Sequence, residues 1–254
     1  MNSLIVAVDI GNTRIHFGVA SGTDVDGCPT WEMLDSRETA GFAPESLASI
    51  LPDRPLQWRV ASVHRATEAS LASWVSSARA RDGYRCLGFA DLPLAVRLPA
   101  PNRVGMDRLV AAVAANRIRD PQRAAIVVDA GTAVTVDAIM ADGSFQGGVI
   151  LPGMRLVCRA LAAGTDLLPL VEVSFSESPP EPIGRSTETA IRSGAFWGTV
   201  GAIRLLVSQF RQQLGDSAQV FVTGGDASAL ASLIDREAQF VPQLVLAGIF
   251  WSDK

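Results

Sequence analysis

Short apolar runs that end in polar, glycine-containing turns mark the start of the chain. Leu4–Val8 is apolar and ends in Asp-Ile-Gly-Asn-Thr, and Ile15–Ala20 follows as a second apolar run. A strand, a polar turn with glycine and a second strand are the pattern of a β-hairpin. Further along, Trp58–Val63 predicts another strand and Ala66–Ala80 predicts a helix. The chain therefore opens with an α/β pattern.

The opening pattern returns in the second half of the chain. The apolar run Ala124–Val128 ends in Asp-Ala-Gly-Thr-Ala, and a second predicted strand follows it. Asp9 matches Asp129 and Gly11 matches Gly131. One such turn is weak evidence, because Asp, Gly and Asn are common in hairpins. Two copies in the same strand–turn–strand setting favour a duplicated domain.

The rest of the chain is mostly helical in pattern. Besides the repeated hairpins, the spacing of apolar residues predicts a strand at Val220–Val222 and helices over Asp107–Ile118, Met154–Ala163, Thr187–Leu214 and Ala227–Ile234. Asp226 is placed to cap the last of these helices, and Gly147-Gly148 has the composition of a turn. We expect two similar halves, residues 1–118 and 119–254, with a cleft between them.

The overall charge is acidic, with a formal net charge of −4 and a pI of about 5.2. This balance disfavours a nucleic-acid partner, whose binding surface should be basic. The only lysine is Lys254, the last residue. Because Walker-type phosphate loops, protein kinases and Schiff-base enzymes each need a lysine, the sequence excludes these classes. Any phosphate must therefore be bound by backbone N–H groups, hydroxyls, arginines and metal ions.

The cysteines and the N-terminus bear on the compartment. Cys28, Cys86 and Cys158 are far apart and odd in number, which disfavours a disulfide framework or a zinc site. The first apolar run is too short for a membrane span and has no basic segment before it. We expect a cytoplasmic protein with no membrane partner.

The two glycine turns are candidates for binding phosphate. A phosphate needs converging N–H donors and small residues that let the backbone approach, and glycine turns supply both. Asn12, Thr13 and Thr132 add amide and hydroxyl donors. Asp9 and Asp129 would repel a phosphate directly, but they can hold a cation or its waters, which bridge to phosphate oxygens. One turn from each half would bind a nucleoside triphosphate from two sides.

A second group of candidates is Gly105-Met106-Asp107-Arg108. Asp107 begins a predicted helix, where the helix dipole favours a carboxylate without any catalytic role. In the functional interpretation, Asp107 accepts a proton from a substrate hydroxyl and Arg108 binds a substrate anion. Thr223-Gly224-Gly225 is a plausible third nucleotide contact, although glycine pairs before capped helices are common. His16 is more typical of a packed or surface histidine than of a catalytic one.

Six motifs together resemble the type III pantothenate kinases nearly end to end. They are DIGNTRIHFG from Asp9, PNRVGMDRL from Pro101, VVDAGTAVTVDAI from Val127, GSFQGGVILPG from Gly143, GRSTETAIRSG from Gly184 and VTGGDA from Val222. The first is shared by the wider superfamily of sugar kinases, actin and Hsp70, whereas the GMDR and GGVILPG elements are more specific. At Leu98, seven residues before Gly105, some relatives have a tyrosine that packs on substrate.

The resemblance implies the fold and the reaction. The fold would be α/β, with duplicated actin-like (ribonuclease H-like) domains and a nucleotide cleft between them. The reaction would be ATP-dependent phosphorylation of pantothenate to 4′-phosphopantothenate, the first step of coenzyme A synthesis. A homodimer is typical of the family.

The resemblance also assigns residues to roles. Asp107 would accept the proton, and pantothenate would contact Gly105, Met106, Asp107, Arg108 and Thr187. The ATP phosphates would be lined by Asp9, Ile10, Gly11, Asn12, Thr13, Arg14, Ile15, His16 and Thr132. Asp129, with Asp9, would bind metal: the monovalent cation, potassium or ammonium, and the Mg²⁺ that accompanies ATP.

Three other functions remain open on the residues alone. A kinase of the same fold could phosphorylate a sugar, although many of those have a zinc-binding Cys/His cluster or a longer chain. A non-catalytic regulator could keep the fold and bind nucleotide, although loss of Asp107 or Asp9 would then be expected. An ATPase of the actin or Hsp70 type would need extra subdomains, for which 254 residues leave little room.

Overall fold

The computed structural model describes residues 4–25, 27–173 and 178–252, so Lys254 lies outside the described residues. The strands are β1 (Leu4–Ile10), β2 (Arg14–Thr23), β3 (Pro29–Glu38), β4 (Leu56–Ser62), β5 (Gly83–Cys86), β6 (Ala125–Ala130), β7 (Ala133–Ile139), β8 (Phe145–Pro152), β9 (Gln219–Thr223) and β10 (Gln239–Phe240). The α-helices are α1 (Arg65–Ala78), α2 (Met106–Ile118), α3 (Met154–Gly164), α4 (Thr187–Leu214), α5 (Ala227–Ile234) and α6 (Leu244–Phe250). Each helix and strand predicted from the apolar pattern is present, with ends that differ by a few residues at most.

The contacts divide the chain into two compact units. The first contains residues 4–94, 99–117 and 244–252, and the second contains residues 95–98 and 118–243. The predicted domains, residues 1–118 and 119–254, stay a prediction. By contacts, 95–98 groups with the second unit, where it pairs with β8, and the C-terminal helix packs on the first unit.

The two units contain sheets of the same topology. The first sheet has the strand order β3-β2-β1-β4-β5, and the second has β8-β7-β6-β9-β10. In both sheets the three strands of the meander are antiparallel, and the last two are parallel to the first strand. The duplication predicted from two short turns therefore extends over five strands in each unit.

The central strands are apolar because both of their faces are covered. Every residue of β1 and β6 is buried or half-buried, which is typical of a strand between two layers. In the first unit the core packs around Phe17 and Trp58, and in the second it packs around Phe196. Each such side chain contributes roughly 1.5–3 kcal/mol by leaving water. These cores hold the ends of β1 and β6 in fixed positions.

The prediction of a turn at Gly147-Gly148 is wrong, because both glycines lie within β8. Gly147 has a φ of +90°, and the β7–β8 register shifts beside it. At Gly148 a Cβ atom would lie 2.0 Å from the carbonyl oxygen of Val136. The glycines therefore serve an irregular, closely packed strand and not a reversal of the chain.

The C-terminal helix α6 packs against the first sheet, chiefly β1. The guanidinium of Arg59 on β4 donates a hydrogen bond to the carbonyl of Phe250. Gly248 lies so close to α2 that a Cβ atom there would be 1.8 Å from the carbonyl oxygen of Val110. This contact fixes α6 against the helix that carries Asp107.

No described helix is both long enough and apolar enough to cross a membrane.

Candidate active site

The first glycine turn joins β1 to β2. Asp9 is half-buried near the end of β1 and lies opposite His16 on β2. The Gly11 N–H donates to the carbonyl of Arg14 at 2.9 Å, which closes the turn. Asn12 and Thr13 are exposed at its tip. The turn therefore presents polar groups beyond the end of a buried strand.

The residues around this turn differ in what they can offer a ligand. Ile10 and Ile15 are fully buried, so only their backbone groups could contact a phosphate. The Nε of Arg14 donates to the hydroxyl of Ser36 at 3.0 Å, which holds the guanidinium towards β3. Burial, together with the positive charge of Arg14, lowers the pKa of His16. Its ring is therefore neutral at pH 7, and it can offer one N–H donor but no positive charge.

The second glycine turn joins β6 to β7. Asp129 is half-buried near the end of β6, between Thr135 on β7 and Thr223 on β9. The Gly131 N–H donates to the carbonyl of Ala133 at 3.0 Å. Thr132 is exposed at the tip, as Thr13 is in the first unit. The two candidate phosphate turns thus have the same position in their sheets.

The Thr223-Gly224-Gly225 turn lies directly beside Asp129. Gly224 has a φ of +99°, and a Cβ atom there would be 2.4 Å from both the Oδ1 atom of Asp129 and the carbonyl oxygen of Ala130. Any side chain at Gly224 would therefore be strained and would displace the carboxylate. The structure brings these two motifs together at one edge of the second sheet.

Asp226 follows this turn, and the prediction that its side chain caps α5 is wrong. It occupies the N-cap position, but its side chain makes no capping hydrogen bond. The side chain is only 7% exposed and its carboxylate faces the guanidinium of Arg155, with 3.4 Å between Oδ1 and Nη2. Burial raises the pKa of Asp226, and the charge of Arg155 opposes this rise. The sequence gives no sign of this pairing, because the two residues are far apart in the chain.

Asp107 lies in the first turn of α2 and is half-buried. Its Oδ1 atom accepts a hydrogen bond from the backbone N–H of Arg108 at 2.9 Å. A Cβ atom at Gly105 would be 2.4 Å from that oxygen, so the absence of a side chain there leaves room for the carboxylate. Gly105, Met106 and Arg108 are also half-buried. The GMDR segment therefore places an aspartate and an arginine in the first turn of a helix.

Thr187 is the first residue of α4 and is exposed. Ser186 is the N-cap, and its hydroxyl accepts a hydrogen bond from the backbone N–H of Thr189. Thr187 belongs to the second unit together with Thr132 and Asp129, whereas Asp107 belongs to the first. Leu98 is half-buried, and its Cδ2 atom would lie 3.2 Å from a Cβ atom at Gly147.

Within the described ranges, no three His, Cys, Asp or Glu side chains are grouped so that they could hold a metal ion. Asp9 and Asp129 each lie near the end of a central strand, next to a glycine turn, and each could offer carboxylate oxygens. Oxygen atoms are the ligands that magnesium and potassium prefer, so this donor chemistry fits such ions.

Comparison with known proteins decides the family. The sequence model of the type III pantothenate kinases matches residues 5–209. The chain belongs to the type III pantothenate kinases. A type III pantothenate kinase of Alkalilimnicola ehrlichii is 35% identical over 248 residues, which cover 95% of this chain and 94% of that one. One of Rhodopirellula baltica is 39% identical, over 94% of this chain and 95% of its own.

The fold is also seen in a solved structure of much lower identity. Glucokinase from an Antarctic psychrotroph has a TM-score of 0.50 at 12% identity and covers 98% of both chains. This likeness concerns the fold alone, and it places the kinase in the two-domain, actin-like fold of sugar kinases. The predicted fold class is therefore confirmed. The predicted family is confirmed as well, by the match to the family model and by relatives that are 35% and 39% identical.

Proposed function

We propose that this kinase transfers the γ-phosphoryl group of ATP to the primary hydroxyl of pantothenate, which gives 4′-phosphopantothenate for coenzyme A synthesis. Membership of the family carries the proposal. The matched region, residues 5–209, includes both glycine turns, the GMDR segment and the start of α4. Asp9 and Asp107 are both present, as a catalytic member of the family requires.

Asp107 is proposed as the proton acceptor. The hydroxyl oxygen of pantothenate bonds to the γ-phosphorus, the bond from phosphorus to the β–γ bridging oxygen breaks, and ADP leaves. The hydroxyl proton passes to the carboxylate of Asp107. Two observations support this role: the lack of a side chain at Gly105 leaves space for the carboxylate of Asp107, and Asp107 is half-buried. In phosphoryl transfer, most of the catalysis comes from positioning and electrostatics, so one well-placed carboxylate is sufficient.

The pantothenate contacts are proposed from the same segment. Arg108, next to Asp107 in the chain, would bind the carboxylate of pantothenate. Gly105 and Met106 would contact the rest of the pantothenate molecule. Thr187 would also contact the substrate, and its hydroxyl is exposed at the start of α4.

The nucleotide and cations are proposed to bind at the two turns. Asp9 to His16 and Thr132 would contact the ATP phosphates, with Ile10 and Ile15 acting through their backbone. Mg²⁺ would accompany ATP near Asp9, and Asp129 would bind potassium or ammonium. These cations neutralise phosphate charge and fix the orientation of the transferred group.

The assembly and the compartment are further proposals. The exposed apolar side chains of Leu167, Leu170 and Ile183, which are 87%, 60% and 80% exposed, support a homodimer with an interface on the second unit. Cys86 and Cys158 are free thiols, which supports a reducing cytoplasm.

The test is identification of the product. The protein is incubated with Mg-ATP and potassium together with pantothenate, glucose or N-acetylmannosamine, and each mixture is analysed by mass spectrometry. We expect one phosphate to be added to pantothenate and to neither sugar. Phosphorylation of a sugar in place of pantothenate would overturn the substrate, and no phosphorylated product from protein that binds ATP would favour the regulator.

A further inference from the structure

Thr39 is a buried polar residue that immediately follows β3. Its relative exposure is only 5%. Its hydroxyl donates a hydrogen bond to the carbonyl of Gly11 at 2.8 Å, and its backbone N–H donates to the carbonyl of Thr13 at 2.9 Å. A buried hydroxyl must be hydrogen-bonded to offset its loss of water. Here both donors of one residue bind the turn of a neighbouring hairpin.

These two bonds determine where the turn directs its own donors. In a trans peptide unit, the carbonyl of one residue and the N–H of the next point to opposite sides. Because the carbonyls of Gly11 and Thr13 point towards Thr39, the N–H groups of Asn12 and Arg14 point away from it. Thr39 is buried, whereas Asn12 and Thr13 are exposed. The bonds therefore turn carbonyl oxygens, which repel phosphate, inwards.

The second unit uses the same position in its sheet. Gly153 immediately follows β8, as Thr39 follows β3, and its N–H donates to the carbonyl of Thr132 at 3.0 Å. Thr132 immediately precedes β7, as Thr13 precedes β2. In both units, the residue after the third strand thus holds the residue before the second strand.

The two turns differ in length and in what lies against their glycine carbonyl. Ile10 pairs with Ile15 across the first turn, whereas Ala130 pairs with Val134 across the second, so the first turn is one residue longer. In the first unit the hydroxyl of Thr39 binds the carbonyl of Gly11. In the second unit the carbonyl of Gly131 also lies close to the residue after the third strand, but there is no space for a side chain, since a Cβ atom at Gly153 would lie 2.2 Å from its oxygen.

We propose that Thr39 is a positioning residue for the turn Gly11–Thr13 and that its hydroxyl sets the affinity of this turn for the phosphates of the nucleotide. The inference rests on the proposed role of the turn in binding ATP. It assigns Thr39 no contact with the nucleotide itself.

The test compares Thr39→Val with Thr39→Ser. Valine keeps the shape and the backbone N–H but leaves the carbonyl of Gly11 without the hydroxyl. We expect the KM for ATP and the Kd for the analogue ADPNP to rise by about tenfold, the scale of one lost hydrogen bond. The KM for pantothenate should stay within about twofold, because the substitution leaves α2 and α4 unchanged. Serine restores the hydroxyl, and ATP affinity should return to near the wild-type value.

Thr199→Val is the matched control. Thr199 is also buried, with 8% exposure, and its hydroxyl donates to the carbonyl of Ala195 within α4 at 2.7 Å. Thr199→Val also removes a buried hydroxyl, but far from the turn in the chain. It should lower Tm without changing the KM for ATP, which separates a general loss of stability from an effect on the turn. If Thr39→Val does not fold, Thr39→Ala removes the same hydroxyl without adding bulk, and it is measured in its place.

Unchanged ATP affinity in the folded variant that lacks the hydroxyl would overturn the proposal. So would an equal loss in Thr199→Val, or no recovery in Thr39→Ser. The ADPNP titration separates this proposal from the proposed function. If the wild type binds ADPNP but does not phosphorylate pantothenate, the function fails, whereas weaker binding by Thr39→Val still supports the role of Thr39.

Discussion

Asp129 is the residue on which the proposed cation site depends. Its carboxylate lies at the end of a buried strand, and the oxygen Oδ1 lies against Gly224, where any side chain would collide with it. A half-buried carboxylate near the candidate phosphate turn is well suited to hold a cation, because attraction between unit charges is stronger there than in water.

Asp129→Asn is expected to weaken the response to potassium. Asparagine keeps the size and an oxygen acceptor but removes the charge. The potassium concentration needed for half-maximal activity should therefore rise by about tenfold or more. The measurement is the initial rate against potassium concentration at constant ionic strength. Asp216→Asn, which changes an exposed carboxylate in the same unit, should leave the curve unchanged. A wild-type potassium response in Asp129→Asn would remove the assignment.

The sequence predicted most of these residues but not the surroundings of each. Asp9, Asp107 and Asp129 could be found because each stands in a short motif with glycine. Thr39 could not be found in this way, since it follows a polar run and its two bonds are made to residues far away in the chain. The Arg155–Asp226 pair was not predicted either, because these two residues are also far apart in the chain. The sequence predicted a capping role for Asp226 instead.

At the scale of elements, the residue that follows the third strand of each sheet binds the candidate phosphate turn. The strand β3 was not predicted from the sequence because its residues are only half-buried or exposed and much of it is polar. Such a strand lacks the continuous apolar run that identified β1 and β6. The helix α6 was missed because a short segment that is apolar on all sides has no helical or strand period to distinguish it.

Gly153→Ala is expected to distort the second turn. The added Cβ atom would lie 2.2 Å and 2.5 Å from the carbonyl oxygens of Gly131 and Thr132, both of which are backbone atoms. The turn must shift, so we expect a loss of about 1–3 kcal/mol in the free energy of unfolding and weaker binding of ADPNP. Urea denaturation and an ADPNP titration provide the two measurements.

Gly201→Ala is the control for that substitution. A Cβ atom at Gly201 in α4 meets no atom within 4 Å, so alanine should stabilise the helix by about 0.5–1 kcal/mol and leave ADPNP binding unchanged. Equal ADPNP affinity in Gly153→Ala and the wild type would show that the position of Gly153 does not matter for the turn.

For the whole molecule, duplication explains why the two candidate turns have the same position in their sheets. Two sheets with the same strand order each end their central strand in an aspartate and a glycine turn. The sequence revealed this through the two hairpins, because local apolar runs and turn residues are sufficient to identify them. It did not reveal that the last two strands of each sheet also correspond, since β5 and β10 are short and largely exposed.

The proposed function divides two tasks between parts of the molecule. The turns of both units would bind nucleotide, and α2 of the first unit would supply the group that accepts the proton. Asp107→Asn keeps the hydrogen bond that the oxygen accepts from Arg108, and it removes only the negative charge and the basic oxygen. It should therefore fold with at most about 1 kcal/mol lost from the interaction with the helix dipole.

The most direct measurement is the rate of pantothenate-dependent ADP release by Asp107→Asn and the wild type at saturating ATP, with ADPNP affinity measured on the same samples. We predict that kcat falls by about 10²-fold or more, as for the loss of a general base, while the Kd for ADPNP stays within about twofold. Turnover at the wild-type rate in Asp107→Asn would contradict the account, and so would ADP release by the wild type that does not depend on pantothenate.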